Sequence, residues 1–299
     1  MKRNVFFFVF IVIMLSSGNV TTGQTKAITQ NQPQKTSPTK KCIPTRHKDK
    51  TQLAFKSGET LYFTMHYNWG IINSDVGSAT VVLDSTSYNG IPVYHTSVKG
   101  RTTPLYDFFF KVREDFQSWF TVNELRPMKF TRNTLEGKYR ATNTYFYRWN
   151  LPEPVISANV FSTSRGQRQL DIPLDECTYD LPSLFYLARN LDLSFISPGV
   201  KYPMTFAIDD EVFDVYFIFL GREEKYIKGL GTFKTMKFAA KLLAGEVFIG
   251  EEDMLIWISD DNNRIPVFFE AAILVGTASG RLTGYSGLKY PLKSFISKK

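Results

Sequence analysis

Residues 61–69 read LYFTMHYNW, and their side chains alternate strictly between two sets. One set is Leu61, Phe63, Met65, Tyr67 and Trp69, and the other is Tyr62, Thr64, His66 and Asn68. Because successive side chains of a β-strand point to opposite faces of its sheet, this period of two predicts a strand with one buried face. The stretch therefore predicts a sheet whose apolar face is covered by other parts of the chain.

Similar strand patterns recur along the rest of the chain. Asn89-Gly90 and Glu136-Gly137 each separate two strand-like runs, which predicts hairpin turns. Turn residues divide the later apolar runs at intervals of about 8–12 residues, a spacing typical of an antiparallel sheet or barrel. A short helical turn is also predicted within TTPLYDFFF at residues 102–110.

One longer segment, YDLPSLFYLARNLDL at residues 179–193, has a helical period instead. Asp180 is a favourable N-cap and Pro182 is tolerated in the first turn, which predicts a helix over about 180–191. The apolar face of this helix consists of Leu181, Leu184, Phe185, Ala188 and Leu191. The predicted fold is therefore mainly β: a strongly curved antiparallel sheet or half-open β-barrel with one covering α-helix.

The N-terminal residues have the layout of a secretory signal peptide. Lys2 and Arg3 precede an apolar run at 5–15, so residues 1–24 are predicted to be a signal, with an uncleaved anchor as the alternative. Residues 25–52 are rich in Gln, Thr, Lys and Pro, which predicts a flexible linker. Residues 53–299 are predicted to form a single β-rich domain from two meanders, about 53–175 and 200–295, around the helix. We expect an exported protein of the periplasm or one associated with the outer membrane.

The charge of the chain narrows the classes of partner. The formal net charge is +8, but much of it lies in the predicted signal, linker and C-terminal tail. The folded part is then mildly basic, which suits either a solvated surface or attraction to anionic envelope polymers or lipids. We expect no nucleic-acid partner, because the chain is predicted to be exported and has no recognisable nucleic-acid-binding module.

Cys42 and Cys177 are the only cysteines in the sequence. In an oxidising compartment they form a single disulfide or remain two unrelated thiols. A disulfide would close a loop of more than 100 residues, which contributes about 4–5 kcal/mol in the chain-entropy model. Two cysteines are too few for a structural zinc site.

No motif of a known catalytic or cofactor site is present. The chain lacks a P-loop, a G-x-G-x-x-G opening a helix, H-E-x-x-H and C-x-x-C. His66 and His95 would be neighbours if their strands paired, but a zinc site needs a third ligand. We therefore predict no catalytic residues, no metal, no cofactor and no enzymatic activity, with an unrecognised hydrolase as the alternative.

The acidic stretch WISDDNNRIPV at residues 257–267 is the segment that looks most like a site. Asp and Asn cap turns with their own side chains, and Arg264 and Ile265 occupy positions where a calcium loop needs a ligand and a glycine. The stretch therefore predicts a hairpin turn in which Arg264 pairs with Asp260 or Asp261.

Aromatic residues make up 15% of the chain, with 26 Phe and 15 Tyr. They form either a large β core or the lining of an apolar cavity between sheet and helix. In the second case the candidate ligand-lining residues are Phe63, Met65, Tyr67, Trp69, Leu184, Phe185 and Ala188.

Four stretches together resemble a family of secreted bacterial proteins, the domain of unknown function 3108. They are FKSGETLYFTMHYNWGIINSDVGSATV (55–81), CTYDLPSLFYLARNLDL (177–193), LLAGEVFIGEEDMLIWISDDNNRIPV (242–267) and VGTASGRL (275–282). The resemblance implies a β-rich, exported protein with no established activity. At the level of architecture, the family is similar to the half-open β-barrels that shield lipid chains in periplasmic lipoprotein carriers.

Residues and resemblance together suggest an exported, non-enzymatic envelope protein that binds or carries an apolar or amphipathic, lipid-like molecule. The alternative is a structural or interaction protein of the cell envelope, with a fully packed core and another envelope protein as its partner.

Overall fold

The computed structural model describes residues 52–175, 177–240, 254–273 and 276–298, which form one curved, 16-stranded sheet with two helices. The first half contains β1 (Glu59–Trp69), β2 (Ile72–Tyr88), β3 (Ile91–Thr102), β4 (Val112–Thr121), β5 (Pro127–Glu136), β6 (Tyr139–Arg148), β7 (Val155–Ser162) and β8 (Gly166–Pro173). The second half contains β9 (Thr178–Tyr179), β10 (Lys201–Ile208), β11 (Glu211–Ile227), β12 (Gly231–Ala240), β13 (Met254–Ser259), β14 (Pro266–Ala272), β15 (Thr277–Ser286) and β16 (Phe295–Ser297). The helices are α1 (Pro104–Asp107) and α2 (Leu181–Ala188), followed by a 3-10 turn at Leu193–Phe195.

The strand order shows how the two halves combine. Strands β1 to β8 are neighbours in chain order, and so are β9 to β15. The halves join where β1 pairs with β15 in antiparallel register, with Met65 opposite Gly280. The sheet is curved, and the backbone pairing of the described strands does not close into a barrel; the predicted mainly β fold class is confirmed.

The two ends of the sheet are held together by side chains. Phe206 and Ile208 of β10 share a buried cluster with Ile156 and Ile172 of β7 and β8. The turn between β10 and β11 reaches the same wall, where Asp209 accepts a hydrogen bond of 2.8 Å from the guanidinium of Arg132, whose side chain is 1% exposed. The curvature therefore brings β10, near one end of the sheet, against the concave face of the first half.

Helix α2 begins at Asp180, as predicted. The Asp180 carboxylate accepts from the Ser183 N–H at 2.9 Å, and the Asp180 N–H donates to the Ser183 hydroxyl at 3.2 Å, which completes a capping box. The helix ends at Ala188, short of the predicted 191. Beyond the helix, the Arg264 guanidinium donates to the carbonyl of Leu191 at 2.6 Å, so this carbonyl is satisfied by a side chain.

The helix lies against β3, β4 and β10, on the concave side of the sheet. Its Asp180 cap also accepts from the Ser118 hydroxyl of β4 at 2.9 Å, which fixes the start of the helix on the sheet. Within the described ranges, no helix is both long enough and apolar enough to cross a bilayer.

Candidate functional site

An apolar cavity of about 160 Å³ lies between the first turns of α2 and the concave face of the sheet. Strands β1 to β4 contribute Phe63, Met65, Ala79, Val81, Val98 and Phe116 to its wall. Strands β13 and β14 contribute Met254, Ile256, Pro266 and Phe269, and α2 contributes Leu181, Pro182 and Phe185. Every described lining residue is apolar, so the cavity offers dispersion contacts and no directed polar recognition.

The register of the strands explains why space remains here. Phe63 lies opposite Ala79 of β2, and Met65 lies opposite Gly77 of β2 and Gly280 of β15. These neighbours have small side chains or none, so the inward face beside the two large residues is only partly filled. The Phe269 ring lies directly over Gly280, where an added Cβ would come within 2.2 Å of the ring. The cavity is therefore a product of strand pairing as well as of apolar composition.

The structure places three of the seven predicted lining residues at the cavity: Phe63, Met65 and Phe185. Tyr67 is buried beyond the cavity, in a cluster with Val76 and Val112. Trp69 is 42% exposed, because β1 ends there and the chain turns at Gly70. The predicted alternation of buried and more exposed side chains along β1 therefore holds up to Tyr67 and fails at Trp69.

Two of the predicted helix residues, Leu184 and Ala188, also lie outside the described lining of the cavity. Leu184 lines a separate, smaller space with Cys177 and Tyr179. Ala188 lies in the last turn of α2, outside the described cavity lining. The cavity contacts mainly the start of the helix. Its described lining includes Leu181 and Pro182 in place of the predicted Leu184 and Ala188.

A buried ion pair anchors α2 beside the cavity. The Arg189 guanidinium donates to the two Glu59 carboxylate oxygens at 2.5 and 2.8 Å, and the side chains are 1% and 0% exposed. Arg189 also donates to the Asn263 carbonyl at 3.0 Å and lies 5.6 Å from the ring centre of Phe185. The pair therefore connects the start of β1, the end of α2 and the turn between β13 and β14.

The stretch WISDDNNRIPV forms the turn between β13 and β14, as predicted, but its contacts differ from the prediction. The pairing of Arg264 with Asp260 or Asp261 is wrong. Asp260 pairs with Arg222 at 2.9 Å, and Asp261 accepts from the Ser294 hydroxyl at 2.7 Å. The acidic residues thus hold neighbouring segments in place, and the stretch is a structural junction.

A second buried polar cluster, which sequence reasoning missed, lies on the concave face of β4 and β5. The carboxyl groups of Glu114 and Glu136 lie close enough to interact electrostatically, and each residue is 3% exposed. Burial and the neighbouring Glu136 raise the pKa of Glu114 to about 9, and burial raises the pKa of Glu136 to about 7. Thr134 donates to Glu114 at 2.6 Å. The pair therefore holds a proton that an exposed pair would release.

The two strand histidines lie apart. His66 is 3.0 Å from Asp75 and 2.7 Å from Asn73 through its two ring nitrogens. His95 stacks on Trp119 at 4.4 Å between ring centres. Strand β2 lies between their strands, which rules out the pairing that would make them neighbours. In the described part of the chain, no three His, Cys, Asp or Glu side chains are grouped to hold a metal.

Several sequence predictions concern residues that the structure does not describe. The predicted signal at 1–24, the predicted linker up to residue 51 and Cys42 lie outside the described ranges. Cys177 precedes β9, and its N–H donates to the Asp175 carboxylate at 2.9 Å. The Cys42–Cys177 disulfide therefore stays a prediction.

Comparisons with known proteins place the chain in a family. A family model described as "Protein of unknown function (DUF3108)" matches residues 62–283. No curated protein matches the sequence significantly.

A comparison with solved structures found two matches at low sequence identity. A beta-barrel-like protein of domain of unknown function DUF1849 from Brucella abortus has 11% identity and a TM-score of 0.49, covering 79% of this chain and 99% of its own. A "putative lipoprotein" from Parabacteroides distasonis has 9% identity and a TM-score of 0.29, covering 83% of this chain and 100% of its own.

Proposed function

The chain belongs to the DUF3108 family, whose description assigns no function, and from its geometry we propose an exported, non-enzymatic envelope protein that binds an apolar or amphipathic molecule by a hydrocarbon segment. The observation that carries the proposal is the apolar cavity of about 160 Å³ under α2. The layout of residues 1–24 supports export.

The size of the cavity indicates how much of a ligand it can hold. An engineered apolar cavity of about 150 Å³ binds benzene, whereas pockets for drug-sized ligands begin at about 300 Å³. A volume of about 160 Å³ therefore suits a ring-sized group or the end of a hydrocarbon chain. The remainder of the molecule would lie outside, which favours an amphipathic ligand with one apolar end.

The apolar wall of the cavity also favours a ligand. Atoms that face an unfilled apolar space lack packing partners on that side. A hydrocarbon segment would supply contacts to the wall, because every residue of the described lining is apolar.

Native mass spectrometry and palmitate titration test the proposal on the protein recovered from the envelope of an expressing bacterium. We expect a copurifying mass of lipid size and saturable palmitate binding. Ala79→Phe fills the cavity and should abolish both, whereas Thr80→Phe, on the opposite face of β2, should retain both. Val98→Met fills less space and should weaken palmitate binding several-fold, which keeps the test informative if Ala79→Phe does not fold.

The opposite result supports the alternative, a structural or interaction protein. If the wild-type protein is free of added mass in repeated preparations and does not bind palmitate, the cavity is not a ligand site. Equal binding by wild type and a folded Ala79→Phe variant would place the ligand elsewhere.

A further inference from the structure

Five large apolar side chains are exposed at one end of the sheet, in two neighbouring connections. Ile71 follows β1 and is 103% exposed, and Trp69 is 42% exposed. Leu105, Phe108 and Phe109, in and after α1, are 68%, 85% and 61% exposed. We call these five residues the apolar end.

Backbone contacts bring the α1 segment against β2, the second strand of the β1–β2 hairpin. Gly77 of β2 pairs with Thr102 at the end of β3, and the Thr103 N–H donates to the Val76 carbonyl at 2.9 Å. The α1 segment therefore begins beside the β1–β2 hairpin and not at a distance from it.

The exposed residues are presented by a packed base. Ile72 from the hairpin and Tyr106 and Phe110 from the α1 segment pack against one buried cluster. Met65 and Met254, which line the cavity, belong to the same cluster. The cluster fixes the two connections side by side, and the apolar end projects from it next to the cavity.

This arrangement differs from that of ordinary turns. Hairpin connections are usually rich in Gly, Asn, Asp and Ser, because these residues suit turns and contact water. Burying a Phe, Leu or Ile side chain is favourable, because it removes apolar surface from water. Five large apolar side chains that are at least 42% exposed at one end mark an interaction surface.

The charges beside the apolar end indicate which surface it fits. Lys111 and Lys138 are exposed, and the Lys111 carbonyl accepts from the Gly137 N–H at 2.8 Å, so both lysines border the α1 segment. Two acidic groups among the described residues of this region are offset: Asp107 pairs with Arg113, and Asp75 pairs with Arg281 at 2.6 Å. The described border next to α1 therefore carries the positive charge of Lys111 and Lys138.

We propose that the apolar end docks on the surface of a bilayer containing anionic phospholipid. Aromatic and aliphatic side chains enter the boundary between headgroups and acyl chains, while the lysines contact lipid phosphates. Tryptophan favours this interfacial depth, which suits Trp69. The combination favours an anionic bilayer, because headgroup phosphates can contact the lysines while the apolar side chains reach the acyl chains.

Tryptophan quenching by brominated phosphatidylcholine mixed with phosphatidylglycerol tests the docking directly. We expect wild-type fluorescence to be quenched on vesicle binding, and Trp69→Phe to remove most of that quenching while binding persists. Since all variants keep the same N-terminal residues, any membrane affinity of that segment is common to them. Quenching that is unchanged in Trp69→Phe would show that this end does not enter the bilayer.

Vesicle flotation measures the contribution of the apolar side chains. The double variant Leu105→Ser/Phe108→Ser should bind at least tenfold more weakly than the wild type. Its matched control is Leu151→Ser/Phe195→Ser. These two apolar side chains are 43% and 61% exposed and lie away from the apolar end. Equal loss in both variants, or no vesicle binding by the wild type, would overturn the proposal, and the second result would point to a protein partner.

The charge requirement is tested with the same vesicles. Lys111→Glu/Lys138→Glu should weaken binding several-fold at low salt, and vesicles of pure phosphatidylcholine should bind the wild type weakly. Lys56→Glu/Lys228→Glu carries the same change of charge at exposed positions away from this end and should bind like the wild type. If both lysine pairs have equal effects, only net charge matters and the docking surface is not at the apolar end.

Discussion

At the scale of single residues, the ion pair of Arg189 with Glu59 connects three distant parts of the chain. Glu59 starts β1, Arg189 follows α2, and the Asn263 carbonyl that Arg189 contacts belongs to the β13–β14 turn. All three lie in stretches by which the sequence resembles its family. Because both charged side chains are buried, the pair serves to hold α2 over the sheet and is not accessible to a substrate in water.

Removing Arg189 should strongly destabilise the fold. Arg189→Met leaves the Glu59 carboxylate buried without its partner, which should cost about 3–5 kcal/mol of unfolding free energy. Urea denaturation at neutral pH measures the loss. The control, Arg222→Met, removes the ion-pair partner of Asp260. Because the Arg222 side chain is 59% exposed, its loss should lower the unfolding free energy by at most about 1 kcal/mol. A cost for Arg189→Met as small as that of the control would contradict the anchoring role.

The carboxyl pair of Glu114 and Glu136 should make stability depend on pH. Both folded-state pKa values, about 9 and about 7, lie above the ordinary 4.5 of a glutamate. The folded state therefore keeps protons that the unfolded chain releases above about pH 4.5. The stability contribution of the pair is complete below that pH and is lost as the pH rises toward about 9.

Urea midpoints measured between about pH 5 and pH 9 test this dependence. Glu114→Gln removes one titrating group of similar shape, so the decline in stability with pH should become shallower. Glu124→Gln, at a side chain that is 60% exposed, should keep the wild-type slope. A wild-type profile that rises with pH over this range would show that the pair is ionised in the folded protein.

At the scale of elements, the contact of β14 with β15 shapes the cavity. Gly280 lies opposite Phe269, and the Phe269 ring lies over the position that a Cβ would take. A side chain at 280 would move this ring, which forms part of the cavity wall. One glycine in β15 therefore affects both packing and ligand space.

Gly280→Ala should reduce palmitate binding together with stability. The added methyl overpacks the wall, which costs about 1–3 kcal/mol, and it displaces the Phe269 ring. Gly284→Ala on the same strand is the control, because its Cβ would be 3.3 Å from a Tyr62 side chain that is 46% exposed. Thermal unfolding and palmitate titration should show a clear difference between the two variants. Unchanged palmitate binding by Gly280→Ala would mean that the position of the Phe269 ring does not affect ligand binding.

At the scale of the whole molecule, local sequence patterns predict the individual strands and helices better than they predict how these elements pair and pack. The alternation in β1 and the Asp180 cap correctly predicted a strand and a helix, because both depend on neighbouring residues. The pairing of β1 with β15 joins residues more than 200 positions apart, and no local periodicity encodes it. Without that pairing, Phe269 could not be identified as a cavity residue.

The same limit explains the errors about the helix. The side chains of α2 that face the cavity depend on how the helix is rotated over the sheet. That rotation is fixed by the buried contacts of Asp180 with Ser118 and of Arg189 with Glu59. The helical period alone predicts an apolar face without showing which part of it meets the cavity, so Phe185 was placed correctly and Leu184 was not.

A disulfide between Cys42 and Cys177 would act on the molecule as a whole. Cys177 lies in the short connection between β8 and β9. These two strands form the two opposite ends of the sheet order. A bridge there would tie the N-terminal segment to the place where the two ends of the sheet meet. It would also close a loop of more than 100 residues, which corresponds to about 4–5 kcal/mol in the chain-entropy model.

Peptide mapping of the exported protein without reductant should identify a Cys42–Cys177 peptide. Adding reductant should then lower the melting temperature by about 10 °C, since about 2–4 °C per kcal/mol is expected for a domain of this size. Cys42→Ser/Cys177→Ser should melt near the reduced wild type and should not respond to reductant, because it has no disulfide to lose. Two thiols that react freely with an alkylating agent in the folded, unreduced protein would contradict the bridge, and the N-terminal segment would then be joined to the sheet only through the peptide chain that leads to β1.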